Sequence, residues 1–518
     1  MQDIASRYFD YLSDLVVITG TDKDDHFEII REDGATTIAV SRIKDGKVTA
    51  PYNEYTVSDA NTDQIWVYGL DDDDTFRVSG KGKKPTPLRI IGGQNNDVYT
   101  IEDGRKVKVY EHKTKPNTVA EKGGILRKTN NYSYNTYNIN KTLKRVNTVI
   151  PSLGFNPDDG LRIGFQDSYT VSSFKDEPYS SKHVFKAGFS TASSGFDGGY
   201  VGTFINTVGR WDLNIDARYT SDSFARNFFG IGNDTENFES ELEESDDVTF
   251  LGLTDFDDLD LDFNRVRNRN LALKIGLVRD NRFGSVFSIS AIVENVRIEE
   301  TSNRFLAIPG VNAALLATNP EIFESQTFLG SEASYDYTST DNAANPTRGM
   351  IFGLTVGGKL NVDDSDRTYG YLQPKLAFYN AITRNRKLVL KTQVQGQYNT
   401  GTILEDFDFF QAATLGANTG LRGFRNERFS GESSFVGSAD LRYSFRRSRT
   451  GLLPIQVGIF GGFDVGRVWT SGIGESDRWH NDYGGGLWIN AVDVISNQIG
   501  VFNSDDGLRV SFTFGVRL

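Results

Sequence analysis

The feature that most constrains this chain is a regular alternation of apolar and polar residues over segments of ten to twelve residues. Segments 387–398 (KLVLKTQVQGQY) and 508–518 (LRVSFTFGVRL) both show this alternation. Successive side chains of a β-strand point to opposite faces, so each segment has one apolar side and one polar side. Their length suits a tilted membrane strand, which needs about 9–11 residues. The pattern predicts an all-β transmembrane barrel, with a soluble β-sandwich that has one solvated face as the alternative.

Charge and composition exclude several classes of protein. The formal net charge is −13 and the sequence pI is about 5.0, so the basic surface of a nucleic-acid-binding protein is missing and no nucleic-acid partner is expected. Cysteine is absent, which removes disulfides and thiol catalysis. No apolar run approaches the roughly 18 residues that a membrane helix requires. The chain opens MQDIASRYFD without an export signal, so an exported protein is expected to carry this sequence as its mature form.

The chain divides near residue 145. Residues 1–145 are predicted to form a β-rich periplasmic module, and residues 146–518 a 16-stranded antiparallel barrel. Long connections interrupt the barrel region. One of them, residues 233–263, is rich in carboxylates, a composition typical of solvated surface, with calcium binding as the alternative.

The N-terminal region carries a short internal repeat. Each copy has a glycine, four further residues, an aspartate, one residue and an aromatic residue: Gly20/Asp25/Phe27, Gly69/Asp74/Phe76 and Gly92/Asp97/Tyr99. The third copy resembles the repeat of calcium-binding β-rolls. The copies lie 49 and then 23 residues apart, so a stacked roll that shares calcium between its turns is not expected. Asp25, Asp74 and Asp97 are therefore interpreted as turn residues that bond backbone amides, with calcium ligation as the alternative.

Three segments in the second region carry a family resemblance. They are SYDYTSTDNAANPTRGMIFGL (334–354), LRGFRNERF (421–429) and GGFDVGRVW (461–469). In this order they resemble the Asp…Asp-Asn…Pro-Thr-Arg-Gly segment, the Val-Arg-Gly-Phe/Tyr loop motif and the Phe-x-Asp-x-Gly strand motif of the BamA–TamA–FhaC superfamily of outer-membrane barrels. Two features depart from the family: Leu518 stands where an aromatic residue is usual, and no POTRA module is recognisable.

The resemblance implies a lid loop, residues 415–432, that folds into the barrel lumen. Its lock consists of Arg422, which would reach Asp464 on an inward-facing strand position, Gly423, which allows a tight backbone course, and Phe424, which wedges beside the pair. A guanidinium can form two parallel hydrogen bonds to one carboxylate, and a polar lumen accepts charges that the lipid side does not.

A second resemblance concerns Bacteroidetes proteins in which a metallophosphoesterase precedes such a barrel. Segment 154–165 (GFNPDDGLRIGF) and the N-terminal region are similar to the C-terminal half of those proteins. The chain has only four histidines, none in a metal-binding signature of that enzyme, and no grouping of catalytic residues replaces them. We therefore expect no enzyme activity and no cofactor other than the candidate calcium.

The resemblance implies that the protein inserts outer-membrane proteins or translocates a polypeptide. The expected route is a seam between the first barrel strand, within 158–171, and the last, 508–518, with Gly160, Gly164, Gly515 and Leu518 at the junction. Expected partners are client polypeptides, accessory outer-membrane or periplasmic subunits, and outer-membrane lipid (lipopolysaccharide or phospholipid). The location is the outer membrane of a Gram-negative bacterium of the Bacteroidetes type. The alternative is a passive barrel that anchors or exports an attached phosphoesterase-like domain.

Overall fold

The computed structural model describes most of the chain. The described residues are 13–93, 95–113, 118–119, 124–156, 159–237, 263–281, 283–302, 304–308, 313–449, 454–491 and 495–516. Most of the acidic connection 233–263, and Leu518, lie outside them. The chain forms two compact units. The first comprises Met1–Val146 with Thr170–Ser181, and the second Asn147–Tyr169 with Lys182–Leu518.

The first unit consists of two β-sheets. Its strands are β1 (Leu15–Thr19), β2 (Asp25–Glu32), β3 (Ala35–Lys44), β4 (Lys47–Ser58), β5 (Gln64–Leu70), β6 (Thr75–Gly80), β7 (Leu88–Gly93), β8 (Val98–Ile101), β9 (Val107–His112), β10 (Thr118–Val119) and β11 (Ile125–Thr129). One sheet has the order β1-β5-β7-β9-β11 and is parallel throughout. The other has the order β10-β8-β6-β2-β3-β4. Apolar residues from both sheets, including Phe27, Ile65, Val78 and Ile90, form one fully buried cluster.

The three repeat copies stack on one another in this unit. Phe27 is paired with Phe76, and Phe76 with Tyr99, and the ring centroids are 4.7 and 5.2 Å apart. The copies therefore stack despite their unequal spacing, so the expectation that they form no stacked roll was wrong in this respect, and the expectation that they share no calcium stays a prediction. The hairpin β3–β4 lies between the first two copies and lengthens their separation in sequence without disturbing the parallel register.

The second unit is built on one large antiparallel sheet. Its strands and those of its connections are β12 (Arg145–Asn156), β13 (Gly160–Val171), β14 (Ser181–Ser190), β15 (Phe196–Val208), β16 (Trp211–Thr220), β17 (Ala225–Asn227), β18 (Arg265–Asp280), β19 (Ser285–Ile298), β20 (Ser325–Thr340), β21 (Gly349–Asn361), β22 (Thr368–Ala381), β23 (Leu388–Asn399), β24 (Ala413–Leu415), β25 (Phe429–Gly431), β26 (Ser433–Ser444), β27 (Ser448–Arg449), β28 (Pro454–Trp469), β29 (His480–Ala491), β30 (Ile495–Ser504) and β31 (Gly507–Val516). The sheet runs in chain order from β12 to β31.

Sixteen of these strands form the wall of a nearly closed barrel. The sheet contains 18 strands, of which β17 and β27 have only three and two residues. Along β28, Ile459 and Phe463 are 45% and 47% exposed, whereas Asp464 is fully buried. This is the alternation of a membrane barrel, apolar outside and polar inside. The prediction of a 16-stranded antiparallel barrel preceded by a β-rich region is confirmed.

The first barrel strand differs from the prediction. It is β12, and the segment expected to be first, which contains Gly160 and Gly164, forms the second strand, β13. Pro151 lies inside β12. Proline cannot donate a hydrogen bond to a ladder and is tolerated on a strand that has one neighbour, and β12 stands at the end of the sheet order.

Connections of the second unit pack into a hydrophobic cluster of their own. It contains Phe228, Phe305, Leu315, Phe407 and Phe409, among others, with Phe328 and Tyr369 from the wall strands. The short helix Ala313–Thr318 contributes Leu315. Among the described residues, no helix is long and apolar enough to span a membrane.

Candidate functional site

The lid loop, residues 415–432, lies between β23 and β26 and folds back on itself. Its arms include β24 and β25, which pair with each other so that Ala413 faces Gly431 and Leu415 faces Phe429. Leu421, Phe424 and Phe429 of the loop are at most 1% exposed. They form a cluster with Val436 and Val468, on β26 and β28. The loop is therefore packed against the inner side of the barrel wall.

Arg422 is held by two carboxylates from neighbouring strands. Its Nε donates to Oδ2 of Asp464 at 2.7 Å, and its Nη2 donates to Oδ1 of Asp464 at 2.8 Å. Nη2 also donates to Oδ1 of Asp440 at 2.7 Å. The guanidinium lies over the ring of Phe502, 4.2 Å from its centroid. Asp464 is fully buried and Asp440 is 5% exposed, so these charge-assisted bonds are shielded from water.

Gly423 allows the loop backbone to approach the wall. A Cβ atom at this position would lie 2.6 Å from Cβ of Asp482 and 3.0 Å from Cβ of Ser504, distances that side chains do not reach without displacement. The Gly423 carbonyl accepts a hydrogen bond of 2.7 Å from the Ser504 hydroxyl. Next to it, the ring of Phe424 makes edge contacts with Phe429 at 5.3 Å and His480 at 5.7 Å.

A second set of ionic contacts holds the far side of the loop. Arg428 donates through Nε to Asp506 at 2.7 Å and through Nη2 to the Thr235 carbonyl at 2.7 Å. Glu427 accepts from Nε of Arg226, in β17, at 2.9 Å. Sequence reasoning missed these contacts because the partners of Arg428 and Glu427 lie outside the recognised segments. The unusual density of arginine in residues 419–431 was the only sequence feature that pointed to these contacts.

The first recognised segment forms the turn between β20 and β21. The Asp341 carboxylate accepts backbone hydrogen bonds from Thr347 at 2.8 Å and Arg348 at 3.1 Å. This bonding of a carboxylate to amides a few residues along the chain fixes the tight turn, so the role of the Asp-Asn…Pro-Thr-Arg-Gly pattern in this chain is structural.

A polar cavity of about 360 Å³ lies beside the lid loop, lined by residues of β17 to β23 and by Phe410, Gln411, Ala412 and Thr414, which precede the loop. Its charged groups are paired, either with each other or with residues outside the lining. Lys359 contacts Glu294, Lys274 contacts Glu332, and the Tyr371 hydroxyl donates to Glu332 at 2.9 Å. The cavity therefore offers a nearly neutral, hydrogen-bonding surface.

The glycines expected at the seam are not brought together. Gly160 has a φ of +76° at the start of β13, a conformation that favours glycine, and a Cβ on Gly164 would collide with the carbonyl oxygen of Ala187. Both glycines are therefore explained by β13 and its neighbour β14. Gly515 lies in β31 opposite Ser496, and Leu518 lies outside the described residues.

In the first unit, the repeat aspartates form a buried column. The amide of Asp25 donates to Oδ1 of Asp74 at 2.8 Å, and the amide of Asp74 donates to Oδ1 of Asp97 at 3.0 Å. All three side chains are fully buried. Burial raises the pKa of Asp74 to about 9 and that of Asp97 to about 6.

In these contacts an aspartate carboxylate accepts a hydrogen bond from a backbone amide, as it does in an Asx turn. The amide, however, belongs to the preceding copy of the repeat. Within the described part of the chain, no group of three or more acidic or histidine side chains is arranged to hold a metal ion. Calcium binding remains a prediction.

A nearly closed antiparallel wall of sixteen strands, apolar outside and holding a loop inside by an arginine–carboxylate contact, defines an outer-membrane β-barrel. The model of the Omp85 superfamily domain matches residues 127–516, and the chain belongs to that superfamily. The family places the protein in the outer membrane of a Gram-negative bacterium, and its barrels are transport and insertion proteins without enzyme activity.

Solved structures that are similar to this chain include those of BamA and CdiB. A crystal structure of Haemophilus ducreyi BamA lacking POTRA domains 1–3 has a TM-score of 0.49 and 12% identity, over 72% of this chain and 70% of that chain. CdiB from Escherichia coli has a TM-score of 0.44 and 11% identity, over 71% and 62%. CdiB from Acinetobacter baumannii has a TM-score of 0.42 and 9% identity, over 72% and 59%. This chain thus spans less than two thirds of either CdiB chain. No curated protein sequence matches the chain significantly.

Proposed function

We propose that this barrel inserts outer-membrane proteins or translocates a polypeptide, by opening a seam between β12 and β31 while the lid loop controls the lumen. The observation that carries the proposal is the contact of Arg422 with Asp464 and Asp440, which holds an 18-residue loop inside the barrel by charged groups. Water that enters the lumen competes for such bonds, so the contact can be broken and remade.

The seam follows from the sheet order. β12 and β31 stand at its two ends, and any junction between them consists of backbone hydrogen bonds without a covalent turn. A separated junction exposes two strand edges, and an unpaired edge is a template on which an incoming strand can add. We propose that the client is a chain that adopts β-structure at this edge.

Client polypeptides, accessory outer-membrane or periplasmic subunits, and the surrounding lipopolysaccharide or phospholipid are the partners that this proposal requires. The placement of the first unit in the periplasm and a Bacteroidetes-type source are part of the same proposal. The passive alternative, a barrel that anchors or exports an attached phosphoesterase-like domain, keeps the seam permanently sealed. The lid loop's many contacts with the wall are compatible with that alternative, so the two must be separated by experiment.

The test uses the absence of cysteine from the chain. Pairs of cysteines, one in 148–154 of β12 and one in 508–512 of β31, are introduced and oxidised, and cell growth and the assembly of outer-membrane proteins are measured. We expect seam disulfides to stop assembly. The matched control is Val501→Cys with Val510→Cys, which are directly opposite each other on β30 and β31 and cross-link a ladder away from the seam. If seam and control disulfides are equally harmless, the passive alternative replaces the proposal.

A further inference from the structure

Three carboxyl groups surround the single guanidinium of Arg422. Asp440 and Asp464 accept its hydrogen bonds, and the third, Asp482, lies directly opposite Asp464 on the adjacent strand β29. Asp482 is fully buried, and its carboxylate oxygens make no hydrogen bond of normal geometry with the described residues; the Gly423 backbone and the Asp464 carboxyl group are its polar neighbours. Its Cβ lies against Gly423, so the seated lid loop is part of what covers it.

The groups around Asp482 leave its charge unbalanced. The basic groups near the three carboxyl groups are Arg422, Lys391 on β23, whose Nζ is 4.0 Å from Oδ2 of Asp440, and Arg442 on β26, two residues after Asp440. Lys391 and Arg442 lie beside Asp440, and Arg422 is the cation that faces both Asp464 and Asp482. On β30, Ser504 offers only a hydroxyl, which already donates to Gly423. The group formed by Arg422, Asp464 and Asp482 is therefore neutral when one of its two carboxyl groups carries a proton.

One other titratable side chain on the same face of β29 faces the loop. His480 stacks on Phe429 with ring centroids 3.7 Å apart, and neither of its ring nitrogens has a hydrogen-bond partner in the part of the chain that the structure describes. The charged groups near it are Arg428, Arg478, Asp505 and Asp506. Any test of Asp482 must therefore distinguish its effect on the lid loop from the effect of His480.

We infer that Asp482 is a positioning residue that makes the seating of the lid loop depend on pH. With Asp482 protonated, the charges around Arg422 balance and the loop is seated. When the group ionises, one uncompensated negative charge is buried beside Asp464, and an unpaired buried charge is costly. Release of the loop lets lumen water reach the carboxylate, so rising pH shifts the loop from the seated to the released state. This inference rests on the proposed role of the lid loop.

The experiment measures the loop position in the full chain in lipid nanodiscs. Spin labels are placed by Arg384→Cys, in the exposed turn before β23, and Asn418→Cys, at the exposed tip of the lid loop. Both labels lie in the second unit, so the distance between them follows that unit alone. Pulsed dipolar spectroscopy gives this distance in frozen samples at about pH 6 and about pH 9, a range that spans the expected ionisation of a buried carboxyl.

We expect one narrow distance distribution at about pH 6 and a second population that grows towards about pH 9. For one titrating group, the ratio of released to seated loop increases by at most about tenfold per pH unit. Asp482→Asn should keep the single distance at both pH values. His480→Gln and Asp505→Asn, the latter an exposed carboxyl beside Arg478, should retain the response of the labelled parent. A pH-independent parent, or an Asp482→Asn variant that responds like the parent, would overturn the inference.

The outcome of the pH experiment can be distinguished from the outcome of the seam experiment. If the loop responds to pH through Asp482 but seam disulfides are harmless, the barrel has a proton-dependent loop and no gate. If seam disulfides stop assembly and Asp482→Asn changes nothing, the gate stands and the role of Asp482 is refuted.

Discussion

Arg422 and Asp464 are joined by two parallel hydrogen bonds, of 2.7 Å and 2.8 Å, between the lid loop and the inner side of β28. Removal of Arg422 leaves Asp464 as an unpaired buried charge, and removal of Asp464 leaves Arg422 with its bond to Asp440 alone. Arg422→Ala and Asp464→Ala should each destabilise the seated loop by about 3–5 kcal/mol if the pair is fully desolvated, and by less if water enters. The measurement is protease protection of the loop as a function of denaturant.

The double variant Arg422→Ala/Asp464→Ala should cost less than the sum of the two single variants, because the second change removes a charge that the first has already left unpaired. Additive costs would show that the two side chains do not stabilise each other.

Gly423→Ala should loosen the loop by about 1–3 kcal/mol, because its methyl group would meet Asp482 and Ser504 in a site without space. Gly461→Ala is the matched control on β28, where the nearest atom to an added Cβ is 3.8 Å away. The same protease assay reports both variants. Equal protection of Gly423→Ala and the parent chain would contradict the close packing.

The first unit should lose stability as pH rises. The folded-state pKa values of Asp74, about 9, and Asp97, about 6, are above the ordinary value of 3.8, so the folded unit binds more protons than the unfolded chain between these limits. The free energy of unfolding should fall from about pH 4 to about pH 6 because both groups contribute, and from about pH 6 to about pH 9 because Asp74 alone contributes. Each group lowers it by at most about 1.4 kcal/mol per pH unit.

Urea unfolding at several pH values, followed by the fluorescence of Trp66, would measure this dependence; the other four tryptophans lie in the second unit. Asp74→Asn retains an oxygen that can accept the Asp25 amide and should remove the part between about pH 6 and about pH 9. A stability that increases over this range would contradict the buried column of carboxyl groups.

Phe174→Ala should destabilise the first unit by about 3–5 kcal/mol, the usual cost of removing a buried aromatic side chain. Its ring is 4.9 Å from Trp66 and 4.5 Å from Tyr110, and Lys141 lies 4.6 Å above it. Trp66 fluorescence during unfolding is the measurement. Phe283→Ala, at a position 88% exposed, should leave unfolding unchanged.

Sequence patterns predicted the barrel because its wall strands are long and each of their residues has only two environments, lipid or lumen. Leu441 and Phe463 face outward and Asp440 and Asp464 inward, as alternation requires. The loop motif likewise pointed to Arg422 and Asp464, since both belong to short, recognisable segments.

Other features depend on contacts that local patterns do not encode. β12 was missed because Pro151 is tolerated most readily at the end of a sheet, and topology rather than local pattern decides which strand that is. The stacking of the repeat copies was missed because the inserted hairpin β3–β4 has the same local pattern as the strands it separates. Asp440 and Asp482 come from strands without a motif, and only the register of β26, β28 and β29 brings them to Arg422.

The membership of Thr170–Ser181 in the first unit constrains how this gene can change by recombination. The segment joins β13 to β14 in the barrel wall, yet Phe174 completes the aromatic cluster of Trp66 and Tyr110. A single crossover near residue 146 would separate the first unit from Phe174. The recombinant barrel would carry a β13–β14 connection whose aromatic residue comes from another protein's first unit. Exchange of the first unit alone is therefore expected to require matched replacement of two separate stretches of DNA.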